Sequence, residues 1–188
     1  SAGGAFLTIQ KALDVILGTL DLGGYDVTIT VGAGTFSGSI SFLSAQVGAG
    51  KITINGDTTT PANVTTGVIT VDGAGCRLFI QGINVSKGTG LYCVSVRNGG
   101  YVKTTGKNRF SSTSGGHRIF LENFASADFV APEEIQGTVA GGHYYAQNNS
   151  TLFCQDATWT ASGTAAQGSF AITYTGGCIF AFNNTSSG

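Results

Sequence analysis

A chain of 188 residues with only 10% charged side chains and a net charge of −1 has no basic surface from which to track a phosphate backbone, so nucleic acid is not an expected partner. Apolar residues make up 41%, yet no run approaches the roughly 18 that a membrane helix requires, so a soluble domain with no membrane insertion and no signal peptide is expected. The 30 glycines stand against two prolines in a background of Thr, Ser, Asn, Val, Ile and Phe, which predicts short strands and many turns within one domain.

In chain order, the first element is "AFLTIQKALDVILGTLDLGG". Phe6, Ile9, Leu13, Ile16, Leu17 and Leu20 recur at three- and four-residue intervals, which predicts a helix over 6–20 that Gly23 and Gly24 stop. From Tyr25 the period becomes two: in "DVTITVGAGTFSGSISF", Val27, Ile29 and Val31 alternate with Asp26, Thr28 and Thr30 before turns at Gly32 and Gly34. Residues 1–24 are read as an N-terminal cap and 25–188 as a β domain.

The later two-thirds repeat. "GVITVDGAGCRLFIQGINVSKGTG", "LYCVSVRNGGYVKTTGKNRFSSTSGG", "HRIFLENFASADFVAPEEIQGTVAGG", "HYYAQNNSTLFCQDATWTASGTAAQG" and "SFAITYTGGCIFAFNNTSSG" follow one another as units of about 25 residues, the range of solenoid repeats. Within a unit the order is constant: a strand such as 94–96 or 119–121, a tight turn such as "RNGG" or "ENFA", two more apolar segments and a polar loop. Three short strands per unit predict an all-β fold, a single-stranded parallel β-helix. One coil cannot bury its inward side chains, whereas coils stacked about 4.8 Å apart share a core and pair their backbones. The helix then covers the otherwise open N-terminal edge. At the other end "CIFAFNNTSSG" ends on an apolar strand, and the absence of methionine suggests a processed piece of a longer parent, which would continue there or meet a partner.

Both histidines follow a Gly-Gly pair and open a repeat, so His117 and His143 are expected to stack one coil apart at one corner. They read either as a metal or acid–base pair or as a ladder of like residues. Leu91 and Ser169 at the equivalent positions favour the ladder. Cys76, Cys93, Cys154 and Cys178 lack metal-ligand spacing and read as reduced, buried small hydrophobes, with a disulfide between neighbouring turns of the fold as the alternative. No cofactor or metal is expected.

Polysaccharide cleavage is the chemistry to weigh, since it needs paired acids. Glu122 with Asp128, or Glu133 with Asp156, are the candidates to meet across coils, with Arg97, Arg109 and Arg118 nearby. Glu133 and Glu134 are adjacent on a strand and must face opposite ways. Sequons at Asn63, Asn84, Asn148, Asn183 and Asn184 read as turn residues. Most aromatics are assigned to core stacks, with Tyr144, Tyr145 and Trp159 left for the outside, as a subunit interface or a sugar-stacking surface.

The stretch "AFLTIQKALDVI…LDLGGYDVTITVGAGTFSGSISF", followed by "ITINGDTTTPANV", resembles the opening of right-handed parallel β-helix (pectin-lyase-like) proteins that phages and prophages carry as tail fibres or tailspikes. The resemblance covers about residues 5–70, and the later coils only by period. It implies a right-handed β-helix, a homotrimer with helices side by side, contacts with other tail proteins, and a place on the virion surface. No catalytic residue carries over from it. The leading expectation is a structural virion segment that contributes to host-surface attachment. The alternatives are a polysaccharide-degrading tailspike domain using Glu122, Asp128, Glu133 and Asp156, and a bacterial surface adhesin.

Overall fold

The computed structural model describes residues 6–86, 92–112, 116–137, 142–155, 158–162, 171–182 and 185–187. The cap is a single helix, α1 (Ile9–Thr19), that buries Ile9, Ala12, Leu13 and Ile16. It starts later than the apolar spacing suggests. Thr8 takes extended backbone and its hydroxyl accepts the Lys11 N–H at 3.1 Å, so Phe6 and Leu7 fall before the N-cap and Leu7 is left 92% exposed. Nor do the glycines end it: Leu20 already leaves helical geometry while its N–H still reaches Ile16 O at 3.0 Å. Gly23, at φ 53°, then turns the chain over the Asp21 carboxylate, which accepts its N–H.

Strands follow in threes. The first sheet contains β1 (Val27–Thr30), β4 (Ile52–Asn55), β7 (Arg77–Gln81), β10 (Tyr101–Thr104), β13 (Ser126–Phe129), β16 (Thr151–Gln155) and β19 (Cys178–Phe182). The second contains β2 (Gly34–Phe36), β5 (Val64–Thr66), β8 (Asn84–Ser86), β11 (Asn108–Ser112), β14 (Glu133–Gly137), β17 (Thr158–Ser162) and β20 (Thr185–Ser187). The third contains β3 (Ile40–Phe42), β6 (Ile69–Asp72), β9 (Val94–Arg97), β12 (Ile119–Glu122), β15 (Tyr144–Gln147) and β18 (Ala171–Tyr174). Every pairing is parallel and joins strands three apart in order, so the chain winds through the three sheets in turn as a parallel β-helix.

Register stacks like on like. Val27, Ile52, Leu78, Val102, Ala127, Leu152 and Ile179 form one interior column of the first sheet. Ile40, Ile69, Val94, Ile119 and Tyr144 form another on the third. Column widths compensate: where Ala127 thins the first column, Phe129 two residues on fills the space and meets Phe110 and Tyr144 at ring-centre distances of 5.9 Å each. Coils approach so closely that a Cβ on Gly50 would lie 1.9 Å from Tyr25 O, which explains the glycine there.

The edge of the third sheet is finished by a side chain. Gln10 of α1 lies against β3, where its Oε1 accepts the Ser41 N–H at 2.6 Å and its Nε2 donates to Ser41 O at 3.0 Å. The helix thus supplies the bonds that one further strand residue would have made. The corner between the third sheet and the first turns through left-handed residues: Asn98, Asn123 and Asn148 have φ of 51°, 57° and 51°. Their side chains form a ladder, Asn148 Nδ2 to Asn123 Oδ1 and Asn123 Nδ2 to Asn98 Oδ1 at 3.0 Å each, ending on Asp72 at 2.7 Å.

Candidate functional site

The described carboxylates do not converge. Glu122 points outward from the third sheet, where Arg97 lies 3.3 Å away in the coil before and Gln147 Nε2 donates at 2.9 Å from the coil after. Asp128 points outward from the first sheet, accepts the Tyr101 hydroxyl at 2.6 Å and sits 3.6 Å from Lys103. Glu133 points into the second sheet's interior, 1% exposed, and accepts the Tyr144 hydroxyl at 2.7 Å. Its neighbour Glu134 faces out to Lys107 at 2.5 Å, the alternation expected of a strand. Glu122 and Asp128 therefore occupy different faces instead of meeting across coils. Asp156 and the side chain of Trp159 lie outside the described residues, as do Leu91, Ser169, Asn183 and Asn184.

The histidines share a corner one coil apart, with His117 beside Gly142, but they face opposite ways. Ile119 pairs with Tyr144, which sets Arg118, not His117, opposite His143. The spacing there is one residue shorter than the Gly-Gly markers imply, and on a pleated strand a one-residue slip turns a side chain to the other face. His143 is accordingly inside and 2% exposed, while His117 is outside, its Nδ1 accepting the Gly142 N–H at 2.9 Å. Burial, then the adjacent Arg118 charge, pulls the His143 pKa down to about 4. Its Nδ1 lies 2.9 Å from Arg118 Nη1, and since guanidinium only donates, that nitrogen is the acceptor.

Arg118 itself is 1% exposed. Its Nε donates to Phe110 O at 3.3 Å and its Nη2 to Gln136 O and Gly137 O at 2.8 Å each. Burial lowers its pKa, opposed by Cys93 and Tyr144. Tyr144, expected outside, is buried at 2% between Glu133 and Phe129. Cys76, Cys93 and Cys154 are buried thiols as expected, and burial, then Glu133, raises the pKa of Cys154. Cys178 departs from that reading and is exposed. Asn84, expected in a turn, lies in β8, whereas Asn148 does sit in one.

What the structure does assemble is an outward strip on the third sheet. Tyr92 stacks on Phe120 with ring centres 4.2 Å apart, Phe120 on Tyr145 at 5.3 Å, and His117 packs beside Tyr145 at 4.5 Å. The Arg97 guanidinium lies 5.6 Å from the Phe120 ring centre and 5.9 Å from that of Tyr92. Burial, then Glu122 against the opposing pull of Arg97, raises the Tyr92 phenol. Among the phenyl and phenol rings of this strip, Tyr145 is the one that the sequence reading places on the outer face, and His117 is expected at a surface corner. Tyr92, Arg97 and Phe120 were missed as a group, although Tyr92 with His117, Arg97 with Glu122, and Phe120 with Tyr145 all recur at one coil's spacing.

Because the rings stack along the coil direction, they cover one another's faces and offer mainly their edges to solvent. The strip thus braces neighbouring coils, and a sugar ring finds an uncovered aromatic face only at its ends. Among the described residues no group of three or more His, Cys, Asp or Glu is placed to hold a metal ion, and no helix is long and apolar enough to cross a membrane. A groove of about 600 Å³ opens between α1 and β1, lined by Phe6, Ile9, Ile16, Leu20, Val27 and Ile29. Compared with family models, with curated proteins and with solved structures, the chain matches none of them.

Proposed function

We propose that this chain is a structural component of a virion, a β-helical segment of a phage tail fibre or spike, working as a side-by-side homotrimer at the virion surface and contributing to host-surface attachment. The observation that carries the reading is the use made of outward side chains. Charged, amide and aromatic groups that would form a catalytic surface are instead spent on the next coil, as in Arg97–Glu122–Gln147 and Tyr92–Phe120–Tyr145. Such inter-coil bracing suits a stiff projecting rod. The acids suspected of catalysis add to it: Glu122 and Asp128 are ion-paired on different faces and Glu133 is buried, whereas glycoside hydrolysis needs two carboxyls roughly 5–10 Å apart across one bond.

The resemblance of residues 5–70 to tail fibre and tailspike proteins supplies the virion context. The test is solution mass by light scattering together with incubation with purified host-surface glycan and a reducing-end assay. A trimer that releases no sugar ends is expected. New reducing ends would overturn the structural reading in favour of a polysaccharide-degrading domain, and a monomer at all concentrations would overturn the side-by-side assembly.

A further inference from the structure

The turn after β9 carries Asn98–Gly99, both in the left-handed region at φ 51° and 81°, with Asn98 exposed to water. Asparagine followed by glycine is the pair most prone to self-modification. Glycine has no Cβ to obstruct attack of its backbone nitrogen on the preceding side-chain amide. In that step a bond forms between Gly99 N and Asn98 Cγ, the Cγ–Nδ2 bond breaks, and the proton lost from Gly99 N leaves on the departing ammonia. Water then opens the succinimide to aspartate or isoaspartate, with no oxidant or reductant involved.

In the fold both reacting groups are held. Gly99 N–H donates to Asn123 O at 3.0 Å, so the nucleophile is engaged by the next coil. Asn98 Oδ1 accepts from Asn123 Nδ2 at 3.0 Å, and Asn98 Nδ2 donates to Asp72 Oδ1 at 2.7 Å, so the electrophile is pinned from both sides. The equivalent corners hold Asn123–Phe124 and Asn148–Asn149, whose second residues carry side chains that hinder ring closure.

We propose that Asn98–Gly99 is a latent deamidation site which coil stacking keeps closed, with Asn123 as the lock and Asp72 as the anchor. Opening of this corner is then recorded permanently. The product carboxylate faces Asp72 where an amide donor stood, two acceptors meet, and the top rung of the asparagine ladder is lost. Isoaspartate would also lengthen the backbone inside the turn.

The experiment incubates the intact protein at mildly alkaline pH and follows Asn98 by peptide mapping with mass spectrometry, alongside the same protein held unfolded in urea and an Asn123→Ala variant checked by circular dichroism. Folded wild type should deamidate at Asn98 at least about tenfold more slowly than the unfolded chain. Folded Asn123→Ala should be faster than wild type by about two- to tenfold, the rate equivalent of one hydrogen bond. Equal rates in folded and unfolded wild type, or an unchanged rate in folded Asn123→Ala, overturn the proposal. If Asn123→Ala does not fold, Asp72→Ala removes the other hold and is read in the same way.

Discussion

Among the described residues Arg118 is the largest side chain wholly inside the solenoid, and its guanidinium is tolerated there because three backbone carbonyls and one imidazole receive it. The consequence is a pH dependence with a defined sign. His143 titrates at about 4 in the fold and at its ordinary 6.5 when unfolded. Between those values the unfolded chain binds the extra proton, so His143's contribution is complete above pH 6.5 and is lost as pH falls toward 4. Denaturant titrations at neutral pH and near pH 4 should differ on the order of 3 kcal/mol from this group, a component that His143→Gln removes. Phe124 is the opposite case. It holds φ 61° where the stacked turns place Gly99, Asn149 and Gly176, and 72% of it is exposed. Phe124→Gly relieves that conformation at little packing cost and should raise stability by about 1 kcal/mol, read as a higher denaturation midpoint.

At the scale of the element, the cap matters for the bonds it brings as well as for its apolar face. Gln10→Leu keeps the helix but leaves Ser41 N–H and O without the partners Gln10 supplies, and should cost about 2 kcal/mol and promote association through the uncovered edge, measured by denaturation and light scattering. Coil spacing is tested at Gly50. Gly50→Ala forces a Cβ against Tyr25 O and should cost about 3 kcal/mol or more in the same denaturation assay. The helix also shows where sequence patterning reaches its limit. The apolar spacing of Ile9, Leu13 and Ile16 announced an element and its buried face, but its ends were set by Thr8's hydroxyl and by the exit at Leu20. Those are local bonding contests that periodicity does not register.

For the whole molecule, stability is a sum over neighbouring coils, because each strand bonds only to the strands one coil before and after. Hydrogen exchange should therefore be slowest in central strands such as β7 and β10 and fastest in β1 and β19, whose sheet has neighbours on one side only at those strands. Uniform protection along the stack would contradict that picture. A central truncation such as Leu78→Ala should cost about 2–5 kcal/mol, since Ile52 and Val102 above and below it are held by their own coils and cannot close the gap.

The winding itself was legible before any coordinates. A period near 25 residues, strand-sized apolar segments in threes and turn residues between them admit little but a stacked parallel coil, because only stacking gives such short strands both a core and backbone partners. The alternation rule also separated Glu133 from Glu134 correctly. What tertiary structure decided was register and side. The one-residue difference between the Gly-Gly markers and the true pairing placed His143 against Arg118 and turned His117 outward. Tyr144 went inside because the space between Phe129 and Glu133 admits its ring and satisfies its hydroxyl, while Tyr145, one residue on, went out to Phe120. A repeat length read from sequence fixes how far apart coils begin, but on a pleated strand a single residue reverses the facing of every side chain, and only packing between coils chooses between the two.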